Sequence, residues 1–255
     1  MQSFLQDGET SKKFAPIATK NKCTVIDNSS AFRMSENVPL VVSEVNSEDI
    51  ELNQGIISNP NCSTIQAMLP IKALDNKYTV KRIIYSTYQA VSGAGRLGIE
   101  DLKNKSSNKF PHPIYNNCLP HIDEFLDNGY TKEEEKMINE TKKILHRPDL
   151  KITATCVRVP VLNCHCESIN LELEKEFDIK DIYTTLSNFE NITILDNPKQ
   201  NIYPLPANIS GKDNVFVGRI RRDYSIKNGL NLWVVADNIR KGAATNAIQI
   251  LEKML

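Results

Sequence analysis

Between residues 168 and 174 the chain alternates Ile169, Leu171 and Leu173 with Asn170, Glu172 and Glu174. A period of two sends successive side chains to opposite faces. The segment therefore fits a sheet with one covered and one wetter face, as antiparallel sheets have. Four further runs are long enough to join it, at residues 81–91, 152–161, 215–223 and 230–237. Before residue 81 the pattern differs: residues 14–20 read as a helix, 23–27 as a short buried strand, and 38–42 and 55–58 as apolar runs bounded by turn residues. Short strands separated by helices predict a parallel α/β layer, so the expected class is α/β at the start and α+β in the middle. Thr131 and Glu134 form a T-x-x-E capping box, predicting a helix toward Leu145. A last helix is expected from about Asn238 to Leu255, with Ala243, Ala247, Ile248 and Leu251 as its apolar stripe.

Charge and composition narrow the function classes. The 31 Lys and Arg are balanced by 31 Asp and Glu, giving a formal net charge of zero. A surface that tracks nucleic-acid phosphates needs a basic excess, so no nucleic-acid partner is expected. No apolar run approaches the length needed to span a bilayer, and the opening MQSFLQDGETSKK has no apolar signal core. The expectation is a soluble, cytoplasmic chain without a membrane partner. The cysteines at 23, 62, 118, 156, 164 and 166 then read as reduced thiols rather than a disulfide framework.

Cys62 lies in SNPNCST, directly after the short strand around residues 55–58. A thiol at a strand-to-helix turn is acidified by the helix N-terminus, and its own N–H can stabilise an oxyanion. A buried structural cysteine at a helix start fits the same residues. The run CVRVPVLNCHCE, residues 156–167, is the densest cluster of reactive types. Zinc held by Cys164, His165 and Cys166 is disfavoured because i and i+2 share a strand face and His165 points to the other; no metal site is expected. Gly93, Gly95 and Gly98 match G-x-G-x-x-G, but the polar, Pro-containing stretch that follows is not the strand of a dinucleotide-binding unit. TKEEEKMINETKK alone reads as a solvated charged helix face.

Taken in order, IDNSSAFRM, NPNCST, STYQAVSGAG, FPHPIYNNCLPHID, EEEKMINETKKIL, CVRVPVLNCHCE, VGRIRRD and WVVADNIRKGAATNAIQI resemble the aspartate-semialdehyde dehydrogenases. The resemblance covers nearly the whole chain from about Phe14. It implies Cys62 as nucleophile, Gln89 as the residue that positions the acyl group, and His165 as general acid–base. It implies Arg158 on the substrate carboxylate, Glu133 and Lys136 on the substrate amine and phosphate, and Arg33 and Asn61 at the phosphate. Ser92, Gly93 and Asn238 correspond to contacts near the nicotinamide, and the implied cofactor is NADP. The implied reaction is NADPH-dependent reductive dephosphorylation of L-aspartyl 4-phosphate to L-aspartate 4-semialdehyde through a Cys62 thioester, a step toward lysine, threonine and methionine. His165, charged, is expected to keep the thiol ionised, making Cys62 the thiol most reactive to alkylation at neutral pH.

The resemblance also implies the organisation. Residues 1–61 with 237–255 would form an incomplete Rossmann-like nucleotide-binding domain, and residues 62–236 a larger mixed-sheet catalytic and dimerisation domain that makes a homodimer, with tetramers known in the family. Cys166 and Thr153 depart from the family pattern. So does the start, where nothing before Phe14 resembles the family's Gly-rich phosphate turn. The sequence thus reads as N-terminally truncated, with weak NADP binding and poor turnover expected. A related acyl-phosphate reductase of the N-acetyl-glutamyl-phosphate type, a non-catalytic dimerisation fragment and a zinc-binding domain are the competing readings.

Overall fold

A computed structural model describes residues 2–4 and 8–255. The chain opens with β1 (Gln2–Phe4), α1 (Gly8–Lys20) and β2 (Val25–Asp27), and β1 pairs with β2 in parallel. The stretch before Phe14 thus supplies a strand and the first turns of a helix, which with the rest of α1 and β2 make a βαβ unit. The connection at residues 5–7 lies outside the described residues. β3 (Ile56–Ser58) joins in parallel on the other side of β2, giving a three-stranded sheet in the order β1-β2-β3. Residues 38–42 form no strand: only Leu40 bridges Ser58, yet Leu40, Val41 and Val42 are all buried. Ile26, Val41, Ile50 and Ile57 pack with Ala247 and Ile250 of the C-terminal helix.

Asn61 caps α2 (Cys62–Tyr78), accepting the Ser63 N–H on its side chain. Then come β4 (Val80–Gln89), α3 (Gly95–Asn104), α4 (Lys132–Ile144), β5 (Lys151–Arg158), β6 (His165–Leu173), α5 (Ile179–Ser187), β7 (Ile192–Ile194), a short α6 (Pro206–Ile209), β8 (Val215–Asp223) and β9 (Gly229–Ala236). The six strands form one mixed sheet in the order β5-β4-β6-β9-β8-β7. The capping box at Thr131 and Glu134 closes as expected, and Glu134 also accepts the Cys156 N–H at 3.0 Å, tying α4 to β5.

One face of this sheet is buried under α2, α4 and α5. Ile83, Tyr85, Ala154, Ile169, Leu171, Leu232 and Val234 meet Ile65, Leu69, Met137 and Ile182 there. The alternation in β6 accounts for this: Ile169, Leu171 and Leu173 face the helices, while Ser168, Asn170 and Glu172 face the other way. That second face is only partly covered, by Ile209 over Cys164, Cys166, Phe216 and Val235. Tyr88 and Trp233 stand on it with ring centroids 5.7 Å apart. Beside them Tyr203, Leu205, Arg219, Arg221 and Trp233 line an open hollow of about 350 Å³.

The C-terminal segment is not one continuous helix. Arg240–Thr245 form a π-helical turn, followed by α7 (Asn246–Lys253). The extra residue per turn rotates the apolar stripe, so Ile250 rather than Ile248 is buried with Ala247, and Ile248 is exposed. The same turn carries Lys241 wholly inside, where its Nζ meets Glu44 at 2.7 and 2.8 Å and Gln249 at 2.6 Å.

Candidate active site

At one end of the large sheet, four adjacent strands line up their polar residues. Gln89 ends β4 in register with Arg158, which ends the parallel β5; His165 begins the antiparallel β6 opposite Ala236 of β9. Gln89, Arg158 and His165 are all buried on the helix-covered face, just where its apolar core stops. Cys62, first residue of α2, faces this line from the end of β3 by way of the turn Asn59-Pro60-Asn61.

α4 supplies the acidic side. Its Glu133 accepts from Asn61 Nδ2 at 3.0 Å and Gln89 Nε2 at 3.2 Å, linking the cap of α2 to β4. Lys136 Nζ reaches Glu133 at 3.3 Å and Asp123 at 2.7 Å. One turn further, Glu140 pairs with Arg33 at 3.0 Å and takes the Asn61 N–H at 2.7 Å. Arg33 is held by two more bonds, to the carbonyls of Asn59 and Asn28. The helix that reads as a solvated charged face therefore buries Glu133, Glu134 and Glu140. Glu133 is compensated by Lys136 and the Asn61 amide, Glu140 by Arg33 and the Asn61 N–H, and Glu134 by the Thr131 and Cys156 N–H groups, which is why burial is tolerated.

The imidazole of His165 accepts the Ala90 N–H on Nδ1 at 3.0 Å, which leaves its proton on Nε2. That Nε2 is buried without a partner, as is Arg158 Nε. Arg158 donates through Nη1 to the Ala90 carbonyl at 2.7 Å. Gly93 makes the close approach possible: a Cβ there would stand 3.0 Å from Arg158 Nη1 and 3.1 Å from His165 Nε2. Gly242 does the same for Cys62, since a Cβ at Gly242 would lie 2.9 Å from the Cys62 Cβ.

The electrostatics correct one expectation. Burial, followed by the Glu133 carboxylate, pushes the Cys62 thiol up to about 12; Arg158, Arg33 and the Ser63 N–H pull the other way and lose. Burial and the neighbouring Arg158 hold His165 well below the usual imidazole range. The ligand-free pair is therefore a thiol and a neutral imidazole, not an ion pair, and the helix N-terminus does not outweigh desolvation.

Ser92 and Asn238 meet side chain to side chain at 3.1–3.2 Å, and Asn238 Oδ1 also accepts the Cys164 N–H at 3.0 Å. Together with Gly93 they form the wall of the site next to His165. Gly95 opens α3 and Gly98 packs against the Val91 carbonyl, so the G-x-G-x-x-G run shapes a helix start after β4. In the small sheet, Ser58 Oγ at the end of β3 and Asn28 Oδ1 just beyond β2 are buried without partners. Unpartnered polar atoms at the carboxyl ends of parallel strands fit a dinucleotide. Cys164 and Cys166 pack together on the opposite sheet face from His165. Among the described residues, no three His, Cys, Asp or Glu side chains are grouped to hold a metal ion, and no helix is long and apolar enough to cross a membrane.

All eleven residues singled out from the sequence fall in or beside this one site. Sequence reasoning did not single out Glu140, Gln66, Glu167 and Gly242. The only signals for them were the seven-residue spacing of Glu133 and Glu140 on one helix face and the four-residue spacing of Cys62 and Gln66.

The fold and site define a class: residues 4–53 match the semialdehyde dehydrogenase NAD-binding domain and residues 71–241 the semialdehyde dehydrogenase dimerisation domain. Among relatives, the aspartate-semialdehyde dehydrogenase of Aquifex aeolicus is 52% identical over 265 residues, covering 99% of this chain and 78% of that protein. The enzyme of Bacillus subtilis is 46% identical, covering 98% and 78%. The crystal structure of aspartate semialdehyde dehydrogenase II complexed with ASA from Vibrio cholerae superposes with a TM-score of 0.96 at 44% identity, over 99% of this chain and 78% of that one. A Candida albicans aspartate semialdehyde dehydrogenase with NADP gives a TM-score of 0.79 at 26% identity, over 99% and 76%. The chain belongs to the aspartate-semialdehyde dehydrogenase family, an oxidoreductase family that uses a nicotinamide cofactor.

Proposed function

We propose that this chain interconverts L-aspartyl 4-phosphate and L-aspartate 4-semialdehyde with NADP as cofactor, in the cytoplasm, as a homodimer. The observation that carries the reading is the convergence of Cys62, Gln89, Arg158, His165 and Glu133 on one closed site, with Arg158 Nε and His165 Nε2 left open within it.

Arg158 takes the substrate α-carboxylate through its fork of donors, and Glu133 takes the α-ammonium. Arg33, Asn61 and Lys136 surround the phosphate. Binding the ammonium neutralises Glu133, the charge that most opposes the Cys62 thiolate, so substrate itself lowers the cost of ionising the nucleophile. Sγ attacks the acyl carbon, oriented by Gln89; the C–O bond to phosphate breaks, and the thiol proton leaves with the phosphate. When bound, the nicotinamide supplies the hydride that reduces the resulting thioester. His165 stabilises the developing oxyanion through its Nε2–H; the adduct collapses to aldehyde and Cys62 thiolate, and a proton taken up from solvent at His165 restores the thiol. Ser92, Gly93 and Asn238 are the residues of the large-sheet half that would meet the nicotinamide, with Asn28 and Ser58 toward the rest of the dinucleotide.

We place the domain division at Cys62: residues 1–61 with 237–255 hold the nucleotide, and residues 62–236 hold the substrate and the dimer surface. The open sheet face around Tyr88 and Trp233 supports self-association, because the match named for dimerisation spans the strands that build it. The test is phosphate-dependent reduction of NADP with L-aspartate 4-semialdehyde. Turnover in the wild type that disappears in Cys62→Ala supports the reading; turnover that survives Cys62→Ala overturns it.

A further inference from the structure

Glu167 lies two residues beyond His165 on β6, so both side chains enter the helix-covered face of the sheet. It is wholly buried, and neither of its carboxyl oxygens has a hydrogen-bond partner. Facing it are Gln66 from α2, Glu133 from α4, Cys156 from β5, Tyr85 and Thr87 from β4, and His165 on its own strand, while the neighbouring Cys166 points to the other face. None of these groups is a lysine or arginine, and Tyr85 already bonds Thr141 at 3.0 Å. An ionised carboxylate with no counter-charge, and only the Gln66 amide to offset its burial, is not sustained in such a place. Gln66, one helical turn from Cys62, donates to the His165 carbonyl at 3.3 Å and so connects the nucleophile helix to the strand carrying the acid–base group.

We propose that Glu167 is a neutral carboxylic acid and a positioning residue: packed against Gln66, it fixes the β6 backbone from which His165 enters the site, and its neutrality leaves Glu133 as the carboxylate that meets the substrate. Burial and then the Glu133 charge hold its proton on well above the usual carboxylate range, with Gln66 partly opposing. At alkaline pH, loss of that proton would place a second negative charge beside Glu133 and raise the cost of every anion formed in the site, the thiolate included. This inference rests on the reading of His165 as acid–base group, yet the state of the carboxyl is measurable without turnover.

Infrared difference spectra of wild type against Glu167→Gln at neutral pH are expected to show the carbonyl stretch of a protonated carboxyl, absent from the variant. Absence of that band in the wild type overturns the proposal whether or not the chain is active. In turnover, Glu167→Gln, which keeps the shape and the neutrality, is expected to retain kcat within about threefold, while Glu167→Ala loses on the order of tenfold or more in kcat with little change in KM. The fall of kcat/KM on the alkaline side is expected to move upward in Glu167→Gln, a readout that a packing role alone leaves in place. Full kcat in Glu167→Ala, or a collapse of Glu167→Gln with an unmoved alkaline limb, overturns the positioning role. A wild type that shows the band but no turnover counts against the proposed reaction, not against the carboxyl.

Discussion

At the scale of single residues, Gly242 says most about the nucleophile. A methyl group there would sit 2.9 Å from Cys62 Cβ and 3.3 Å from its Cα. Gly242→Ala is expected to push back the first turn of α2, costing about 1–3 kcal/mol as overpacking does and removing most of kcat, as read by thermal melting and steady-state rates. The thiol itself gives a second prediction. Because Cys62 is pushed up to about 12, its alkylation in the ligand-free chain should be slow at neutral pH and climb through the alkaline range, with the exposed Cys118 labelled first by mass mapping. Glu133→Gln removes the largest opposing charge and should speed Cys62 labelling at fixed pH; unchanged labelling would show that burial alone sets it. Short motifs such as NPNCST singled out residues that the structure brings together, but said nothing of their protonation. A motif names neighbours along the chain, whereas the Cys62 thiol is governed by desolvation and by Glu133, 71 positions away.

Among the elements, α4 and the loop after α3 show where pattern reading succeeds and where it stops. The capping box of α4 is a local motif, so Thr131 and Glu134 revealed it directly. Thr131→Ala should cost about 1–2 kcal/mol in denaturant unfolding, more than a surface cap would, since Glu134 also holds the Cys156 N–H. That second bond, like the burial of Glu133 and Glu140, depends on β5 and α2 packing alongside, and no charge pattern within one helix announces it. The glycine-containing segment behaves similarly. Asp101 of α3 accepts Ser106 Oγ at 2.6 Å and the N–H groups of Asn108, Lys109 and Phe110, pinning the polar stretch that follows. Against burial, these donors lower its pKa to about 2. An unfolded aspartate titrates near 3.9. The stabilisation is therefore fully present above about pH 4 and is lost as pH falls toward 2. Asp101→Asn should flatten that acid limb of the unfolding curve and increase amide exchange at residues 106–110.

For the molecule as a whole, the two sheets were foreseeable because their periods differ, parallel runs before residue 81 and alternating strands after it. Their joining was not, because it runs through Glu44, buried in the small-sheet half beside Lys241 and bonded by Asn191 of the large-sheet half. Glu44 comes from the loop after β2, Lys241 from the π-helical turn, and Asn191, at the start of β7, adds a bond of 2.6 Å to the same carboxylate. Lys241→Met leaves that carboxylate buried without its cation and should cost about 3–5 kcal/mol, measured by reversible unfolding. The sheet line of Arg158, Gln89 and His165 has a further meaning for how this protein fails when heated. Each of these side chains springs from the end of a strand whose middle is the hydrophobic core, and Cys62 heads a helix buried along most of its length. Arg33, Ser92, Gly93 and Asn238 reach the site from turns, but the side chains that make and break bonds do not, so these cannot soften ahead of the core. Loss of turnover and cooperative melting should coincide on a temperature ramp, and a protein of this design would wear out all at once rather than lose its craft by degrees.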